Sequence, residues 1–235
     1  MLKLLVSFSP QSGGLPYWRN FLGIGKGSRL MKPWCKAGIG AGFLLTVLGV
    51  AQAQAEERDL YLFAQWAGDH QTRPFRQMLV DARVYGVVPI HQLLRSASDW
   101  RLCRAEPFAV APASQWPAVR STLLLLKTLG DQGVLKRYEV VSAYRNPVLN
   151  RCAGGAMGSA HTRAFAVDLL LPDWADPTPL CSFWQAHGKD WNMGLGRYPS
   201  GRIHIDTAGY RTWGGDFSTG SSFCAPAVAG KAQAR

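Results

Sequence analysis

The sequence predicts an α+β domain in which a small antiparallel β-sheet is flanked by helices. Residues 116–130 (WPAVRSTLLLLKTLG) carry an apolar stripe at helical spacing, and Gly130 is placed to end that helix. Three shorter runs, at 138–143, 164–171 and 202–207, are rich in β-branched and other apolar residues and predict strands. Together these elements favour the α+β class.

The region before this helix, residues 57–105, has weaker patterns. Two strands are predicted in it, at 61–66 and 83–88. Pro89 should end the second strand, and the segment HQLLRSASDW that follows predicts a short helix or a loop.

The elements after the helix are separated by turn residues. The strand 138–143 ends at the turn sequence RNP, and the glycine-rich segment NRCAGGAMGS then predicts a loop. The apolar run 164–171 predicts a buried strand, and 181–187 a helix. In the strand 202–207 (RIHIDT), residues two apart share a face.

The start of the chain is typical of an export leader. From Met31 it reads basic MKPWCK, an apolar run at 37–50, and small residues AQAQA before Glu56, which is the layout of a secretory signal peptide. The apolar run is shorter than the about 20 residues of a spanning helix; a retained anchor is the alternative. We therefore expect a dispensable extension at 1–30, a signal peptide at 31–55, one domain at 56–225, a disordered tail at 226–235, and a periplasmic or secreted location.

Removing the leader changes the charge balance. The chain has 26 Lys and Arg, 15 Asp and Glu, and a net charge of +11. Six of the basic residues and no acidic ones precede Glu56, which leaves 20 basic and 15 acidic residues and a net charge of +5. This charge is too small to favour nucleic acid binding, and no basic run is interleaved with aromatics. It suits an anionic polymer such as the cell wall, or solubility alone.

Four cysteines follow the leader: Cys103, Cys152, Cys181 and Cys224. An even number in an exported protein predicts two disulfides, whose three possible pairings the sequence does not separate. Free or metal-binding thiols are the alternative, although no CxxC spacing is present.

Two histidines and two aspartates form the most chemically suggestive pattern. His161 lies seven residues before Asp168, and His204 lies two before Asp206 on one strand face. Two imidazoles and one carboxylate suit zinc and leave a fourth position for water, which zinc activates for attack on an amide. Taken alone, such spacing also arises by chance.

The residues around these histidines resemble a known family. SAYRNPVLNRCAGGAMGSAHTRAFAVDLLLP resembles the first signature of the zinc D-Ala-D-Ala peptidases, which have the Hedgehog/D-Ala-D-Ala peptidase fold. MGLGRYPSGRIHIDTAGYRTWGG resembles the second signature of the family's murein endopeptidase branch. The resemblance covers about residues 140–215, so it implies a zinc peptidase domain within 56–225.

The resemblance implies a role for each matched residue. It makes His161, Asp168 and His204 the ligands of one zinc ion per chain. Substrate binding is implied for Arg145, Ser159 and Tyr144, and Arg145 would also stabilise the developing oxyanion. A structural ion pair is the alternative for Arg145, and a turn-shaping role the alternative for Ser159.

The general base is where the sequence departs from the pattern. Some relatives carry Glu three residues before the last ligand or His two before it, and here these positions are Gly201 and Arg202. Asp206 would act either as the base or as the group that orients His204. Glu139 and His187 are further candidates, whereas His70 and His91 lie outside both signatures. The glycine between the first two ligands is replaced by Ala164.

These features predict a metallopeptidase that opens peptidoglycan crosslinks. The expected partner is peptidoglycan, with no nucleic acid, no stable membrane insertion after leader cleavage, and a monomeric state. A D-Ala-D-Ala carboxypeptidase, a zinc-containing cell-wall binding module without activity, and a disulfide-stapled domain with incidental histidines are the alternatives. Five aromatic residues near the second signature should belong to the core or line the substrate groove: Trp184, Trp191, Tyr198, Tyr210 and Trp213.

Overall fold

A computed structural model describes residues 56–172 and 175–224 of the 235-residue chain. The predicted extension at 1–30, the signal peptide and the tail at 226–235 lie outside these residues. Among the described helices, none is long and apolar enough to cross a membrane.

A five-stranded sheet forms the centre of the domain, in the order β1-β2-β4-β3-β5. Neighbouring strands are antiparallel from β1 to β3, whereas β5 runs parallel to β3. The prediction of a small sheet flanked by helices is therefore confirmed, with the difference that one edge pair is parallel. The strands are β1 (Glu139–Ser142), β2 (Ala166–Leu170), β3 (Gly194–Arg197), β4 (Ile203–Asp206) and β5 (Arg211–Trp213).

Helices flank this sheet. The α-helices are α1 (56–69), α2 (Arg73–Asp81), α3 (Ile90–Leu93), α4 (Trp116–Asp131), α5 (Pro147–Cys152) and α6 (Thr178–His187). Two 3₁₀ turns lie at Ala113–Gln115 and Ala160–Arg163. The helices predicted at 116–130 and 181–187 and the strands predicted at 138–143, 164–171 and 202–207 are confirmed, with ends shifted by at most three residues.

Helix α4 supplies much of the core. Its proline stands in the first turn, where a missing backbone N–H costs nothing. Leu125 and Leu129 are fully buried, and each such side chain contributes about 1.5–3 kcal/mol through removal from water. Thr122 Oγ1 donates to the Phe165 carbonyl oxygen at 2.6 Å, which ties the helix to the chain just before β2. The helix thus supports the strand that carries Asp168.

The two strands predicted before Pro89 are wrong. Residues 61–66 lie inside α1, and residues 83–88 form turns that Arg83 and Gly86 enter with positive φ. Phe63 and Trp66 are three residues apart and both are buried, so the apolar run follows the helical period. A short apolar run does not distinguish a strand from a helix, and here tertiary packing decides.

Four elements have no counterpart in the sequence prediction: α2, α5, β3 and β5. Helix α5 begins where the Asn146 side-chain oxygen accepts a hydrogen bond from the Leu149 N–H at 2.9 Å, with Pro147 at the first helical position. Strand β3 has the sequence GLGR, and a Cβ on Gly194 or Gly196 would collide with Asp206 or Trp213 respectively. Glycine weakens a strand locally, and this close packing explains why both positions in β3 are glycine.

Two disulfides link Cys103 to Cys152 and Cys181 to Cys224, which confirms the predicted pairing of all four cysteines and selects one of three connectivities. Closed loops of 49 and 43 residues stabilise a fold by about 4 kcal/mol each in the chain-entropy account. The first bridge joins the loop after α3 to the end of α5. Both disulfides fit an oxidising compartment.

Candidate metal centre

Three separate elements bring His161, Asp168 and His204 together. His161 lies in the 3₁₀ turn after Ser159, Asp168 lies in β2, and His204 lies opposite Asp168 on β4. All three are buried, and their ligand atoms lie within 4.8 Å of one another. The 3₁₀ turn ends at Ala164, which takes the left-handed conformation (φ 59°) where the family pattern has glycine.

Hydrogen bonds orient both imidazoles toward Asp168. His161 Nδ1 lies 2.6 Å from the Ala143 carbonyl oxygen, which leaves Nε2 facing Asp168 Oδ1 at 3.1 Å. His204 Nε2 lies 2.8 Å from Asp206 Oδ2, which leaves Nδ1 facing the same Asp168 oxygen at 2.9 Å. A carbonyl or carboxylate on the far nitrogen is the usual way in which a ligand histidine is held.

Burial and charge act in opposite directions on these groups. Burial lowers the pKa of His161. For Asp168, burial favours the neutral acid, but the charges and hydrogen bonds of His161 and His204 hold its pKa well below the usual range. For His204, burial disfavours the charge, but bonding to Asp168 and Asp206 outweighs it and raises the pKa. The centre therefore keeps an ionised carboxylate between two basic nitrogens.

This donor set fits a zinc ion. Two imidazole nitrogens and one carboxylate oxygen, already turned toward one point, are the ligands found in catalytic zinc sites. His161 Nε2, an Asp168 oxygen and His204 Nδ1 would hold the ion, and a position toward the cleft would remain open.

Asp206 is fully engaged behind His204. Its Oδ2 accepts from His204 Nε2 and from Arg211 Nη2 at 2.6 Å, and its Oδ1 accepts from the Ala208 N–H at 2.8 Å and from Arg211 Nη1 at 3.0 Å. It has no exposed surface, and these partners hold its pKa low against the effect of burial. It contacts the histidine nitrogen that faces away from Asp168, so the geometry favours orientation of His204 over proton abstraction.

Arg145 reaches the centre from the start of the loop after β1. Its Nε donates to Ser142 Oγ at 2.9 Å, and its Nη2 contacts Asp168 Oδ2 and lies 3.4 Å from His161 Nε2. Arg145 thus makes the ion pair considered as an alternative role, and its Nη1 donors make no hydrogen bond within the described residues.

A cleft of about 540 Å³ opens onto the centre. Its lining includes the glycine-rich loop between Ala153 and Ala160, the loop that contains Ser98 and Asp99, and aromatic side chains. Other residues that line it are Arg145, Asp168, Tyr198, Arg202, His204, Arg211, Trp213 and Phe217. The metal-binding atoms therefore face a space large enough for a peptide.

Of the two residues predicted to bind substrate beside Arg145, Ser159 lies in the cleft and Tyr144 does not. Ser159 lines the cleft, but its Oγ accepts from the His161 N–H at 3.3 Å, which is the turn-shaping role. Tyr144 does not line the cleft and instead lines a separate apolar cavity with Phe75 and Leu123. The position of Tyr144 therefore does not support the prediction that it contacts the substrate.

The remaining candidate residues lie away from the metal centre. Glu139 forms an ion pair with Arg95, and His187 packs on Phe183. His70 stacks on Trp66. His91 is buried in the helical region beside Phe63.

Tyr198, Arg211 and Asp99 line the cleft, and sequence reasoning assigned none of them a role at the metal centre. Tyr198 Oη lies 3.5 Å from His204 Nδ1. Burial, and to a smaller extent the charge of Asp168, raises the pKa of Tyr198, so the hydroxyl keeps its proton. Arg211 holds Asp206 as described above. Asp99 is the one carboxylate besides Asp168 among the cleft-lining residues described.

The aromatic residues of the second signature divide between core and cleft. Tyr198 and Trp213 line the cleft and contact each other edge to face, with ring centroids 4.9 Å apart. Trp184 and Tyr210 stack at 4.6 Å, and Trp191 packs against the core. Of the two positions that the sequence left open for Tyr198, core or groove, the structure shows the cleft.

Comparison with known proteins gives one finding. Residues 109–206 match the family model described as Peptidase M15. This range begins before α4 and ends at Asp206, so it contains all three residues of the metal centre. No curated protein and no solved structure matches the chain.

Proposed function

Because residues 109–206 belong to the Peptidase M15 family, we propose that the protein is a zinc-dependent endopeptidase that hydrolyses amide bonds in peptidoglycan crosslinks. The observation that carries this proposal is the convergence of His161, Asp168 and His204 beside a cleft. Family membership supports the peptidase chemistry. The choice of crosslinks over terminal D-alanine rests on the resemblance of residues 193–215 to the endopeptidase branch.

Two side chains would bind the substrate carbonyl. Zinc held by His161, Asp168 and His204 would supply Lewis acidity and an acidic water. Arg145 Nη1 and Tyr198 Oη would donate hydrogen bonds to the carbonyl oxygen of the scissile amide. Since charge grows on that oxygen in the transition state, a donor of this kind contributes about 10²–10³ in kcat.

Proton transfer needs a group that reaches the cleft. Asp206 is enclosed by His204, Arg211 and the Ala208 N–H, so we assign it to the orientation of His204. Asp99 is exposed and lines the cleft, and we assign it the role of accepting the proton of the attacking water and passing it to the leaving amine.

Muropeptide analysis tests this function. The protein without residues 1–55 would be incubated with intact peptidoglycan sacculi, with and without chelator, and the products separated by chromatography and mass spectrometry. We expect crosslinked dimers to be converted to monomers, with activity lost on chelation and restored by zinc. His161→Ala, which removes one ligand, serves as the inactive control. Loss of one alanine mass from pentapeptides would instead identify a carboxypeptidase, and unchanged muropeptides would overturn hydrolysis.

A binding module without activity is the second candidate. It is favoured by one observation: Gly201 and Arg202 replace the acidic or histidine base of relatives, and Asp206 is enclosed. Sedimentation of the protein with sacculi distinguishes the two functions. Retention on sacculi with no chelator-sensitive product would support the module.

Export would place the protein at this substrate. We propose that residues 31–55 direct secretion and are removed before Glu56, in agreement with two disulfides in the folded domain. The mass and N-terminal sequence of the exported protein would test this, since an uncleaved N-terminus would show an anchor instead.

A further inference from the structure

Arg202 lines the cleft, and hydrogen bonds fix the position of its guanidinium group. Its Nε donates to Ser200 Oγ at 3.0 Å, and its Nη1 donates to Ser98 Oγ at 2.7 Å. The guanidinium also lies over the Tyr198 ring, 5.6 Å from the centroid. Two contacts within its own turn and one with the distant Ser98 thus restrict this long side chain, which reduces the entropy that it would lose on binding a ligand.

The three arginines of the cleft differ in their acidic partners. Arg145 pairs with Asp168, and Arg211 pairs with Asp206. Arg202 forms no ion pair with any carboxylate of the described residues, Asp99 of the neighbouring loop included. Its hydrogen bonds go to neutral hydroxyls, so its positive charge is not neutralised by the described part of the protein.

The free donors of Arg202 suit an anion. Nη2 makes no hydrogen bond within the described residues, and the planar guanidinium matches a carboxylate, which accepts two parallel N–H bonds. The Tyr198 ring beneath the Arg202 guanidinium brings its hydroxyl to 3.5 Å from His204 Nδ1, so the guanidinium and the metal centre lie on either side of one aromatic side chain. Since an extended chain advances about 3.3 Å per residue, a ligand on Arg202 would lie about two residues from an amide bound at the metal centre.

We propose that Arg202 binds a free carboxylate of the substrate, so that the enzyme selects anionic peptides in which this carboxylate lies within about two residues of the scissile amide. The inference rests on the proposed peptidase function and names its substrate class. Arg202 acts as a specificity-determining residue, because it binds a part of the substrate that does not react.

A matched pair of peptides tests the proposal. One peptide carries a free side-chain or α-carboxylate next to the scissile bond, and the other carries the carboxamide at the same atom. We expect the protein to prefer the acid, and Arg202→Gln to lower kcat/KM for the acid by about 10–100-fold, mostly through KM, the range for a hydrogen bond to a charged group. The amide should change by less than about threefold. Arg202→Lys, which keeps the charge but not the fork, should restore part of the preference.

Arg137→Gln is the matched control, since it removes the same charge from an exposed position that does not line the cleft. It should leave the acid-to-amide ratio unchanged. Equal losses on both peptides in Arg202→Gln would mean that Arg202 only holds the Ser98 loop, and the carboxylate site would then be rejected.

Binding without turnover separates this inference from the proposed function. Calorimetry with chelator-treated protein measures the affinity for both peptides when no hydrolysis occurs. Tighter binding of the acid that Arg202→Gln abolishes would support the site even if no peptide is cleaved. Equal affinities for acid and amide would overturn the site, whether or not crosslinks are hydrolysed.

Discussion

The helical region (56–131) and the sheet region (139–213) of this domain are stabilised in different ways. The helical region is packed from apolar side chains, among them Phe75, Phe108 and Leu125, each at most 2% exposed. The sheet region buries a connected polar network that includes Arg145, Asp168 and Asp206. Substitutions in the first region should therefore change stability, whereas those in the second should change metal binding and catalysis.

The largest effect is expected from the ligands. His204→Ala removes Nδ1 from the metal centre and leaves Asp206 without its histidine partner. We expect zinc content near zero and hydrolysis at background, measured by metal analysis and muropeptide release. A zinc-loaded, active variant would mean that these three residues are not the metal centre.

A core substitution should have the opposite profile. Leu125→Ala removes a fully buried side chain from α4 and should lower the free energy of unfolding by about 2–5 kcal/mol. Below the unfolding transition, zinc content and kcat should stay within about twofold of the unsubstituted protein. Chemical denaturation and metal analysis of the same sample make the comparison. Loss of zinc from the still-folded variant would show that the two regions are not separable.

Arg145 tests whether a network residue acts in catalysis. Arg145→Ala should lower kcat by about 10²–10³ because it removes a donor to the carbonyl oxygen. Zinc content should be unchanged, since the three ligands remain. Arg145→Lys provides the control that keeps the charge. Normal kinetics in Arg145→Ala would leave the arginine with only its ion pair to Asp168.

Asp206→Asn distinguishes orientation from proton transfer. As the group that orients His204, Asp206 should affect the metal, and the variant should bind zinc about 10–100-fold more weakly while keeping activity at saturating zinc. Competition with a chromogenic chelator measures the affinity. Unchanged zinc affinity with lost turnover would assign the base to Asp206, and Asp99→Asn would then remain active.

The smallest expected effect is a dependence of zinc affinity on pH. The pKa of His204 is raised in the metal-free protein, so Nδ1 carries a proton up to a higher pH than in a free histidine. Zinc must displace that proton, and its affinity should therefore fall as the pH decreases through this raised pKa. Isothermal titration in buffers of different ionisation enthalpy counts the released protons. Affinity that stays flat below neutral pH would contradict this coupling.

The sequence predicted the candidate metal centre better than it predicted the secondary structure of the helical region. His161, Asp168 and His204 stand in ordered motifs with unusual composition, so their proximity could be predicted without coordinates. Residues 61–66 have no such motif, and their apolar run suits a strand or a helix equally until Phe63 and Trp66 pack on the core. Strand β3 was not predicted because its two glycines are typical of a loop, although they are needed for close packing on Asp206 and Trp213.

Residue types and spacing along the chain determined the α+β class, helix α4 and the central strands, because these properties are local. The resemblance of two signatures, and not spacing alone, indicated His161, Asp168 and His204 as the candidate metal ligands. Only the tertiary structure decided which cysteines pair, that Arg211 encloses Asp206, that Tyr144 lies outside the cleft, and that Tyr198, Arg202 and Asp99 line it. These contacts join parts of the chain distant in sequence, such as Ser98 and Arg202, 104 positions apart. Their geometry depends on how the loops cross the sheet, which no local pattern specifies.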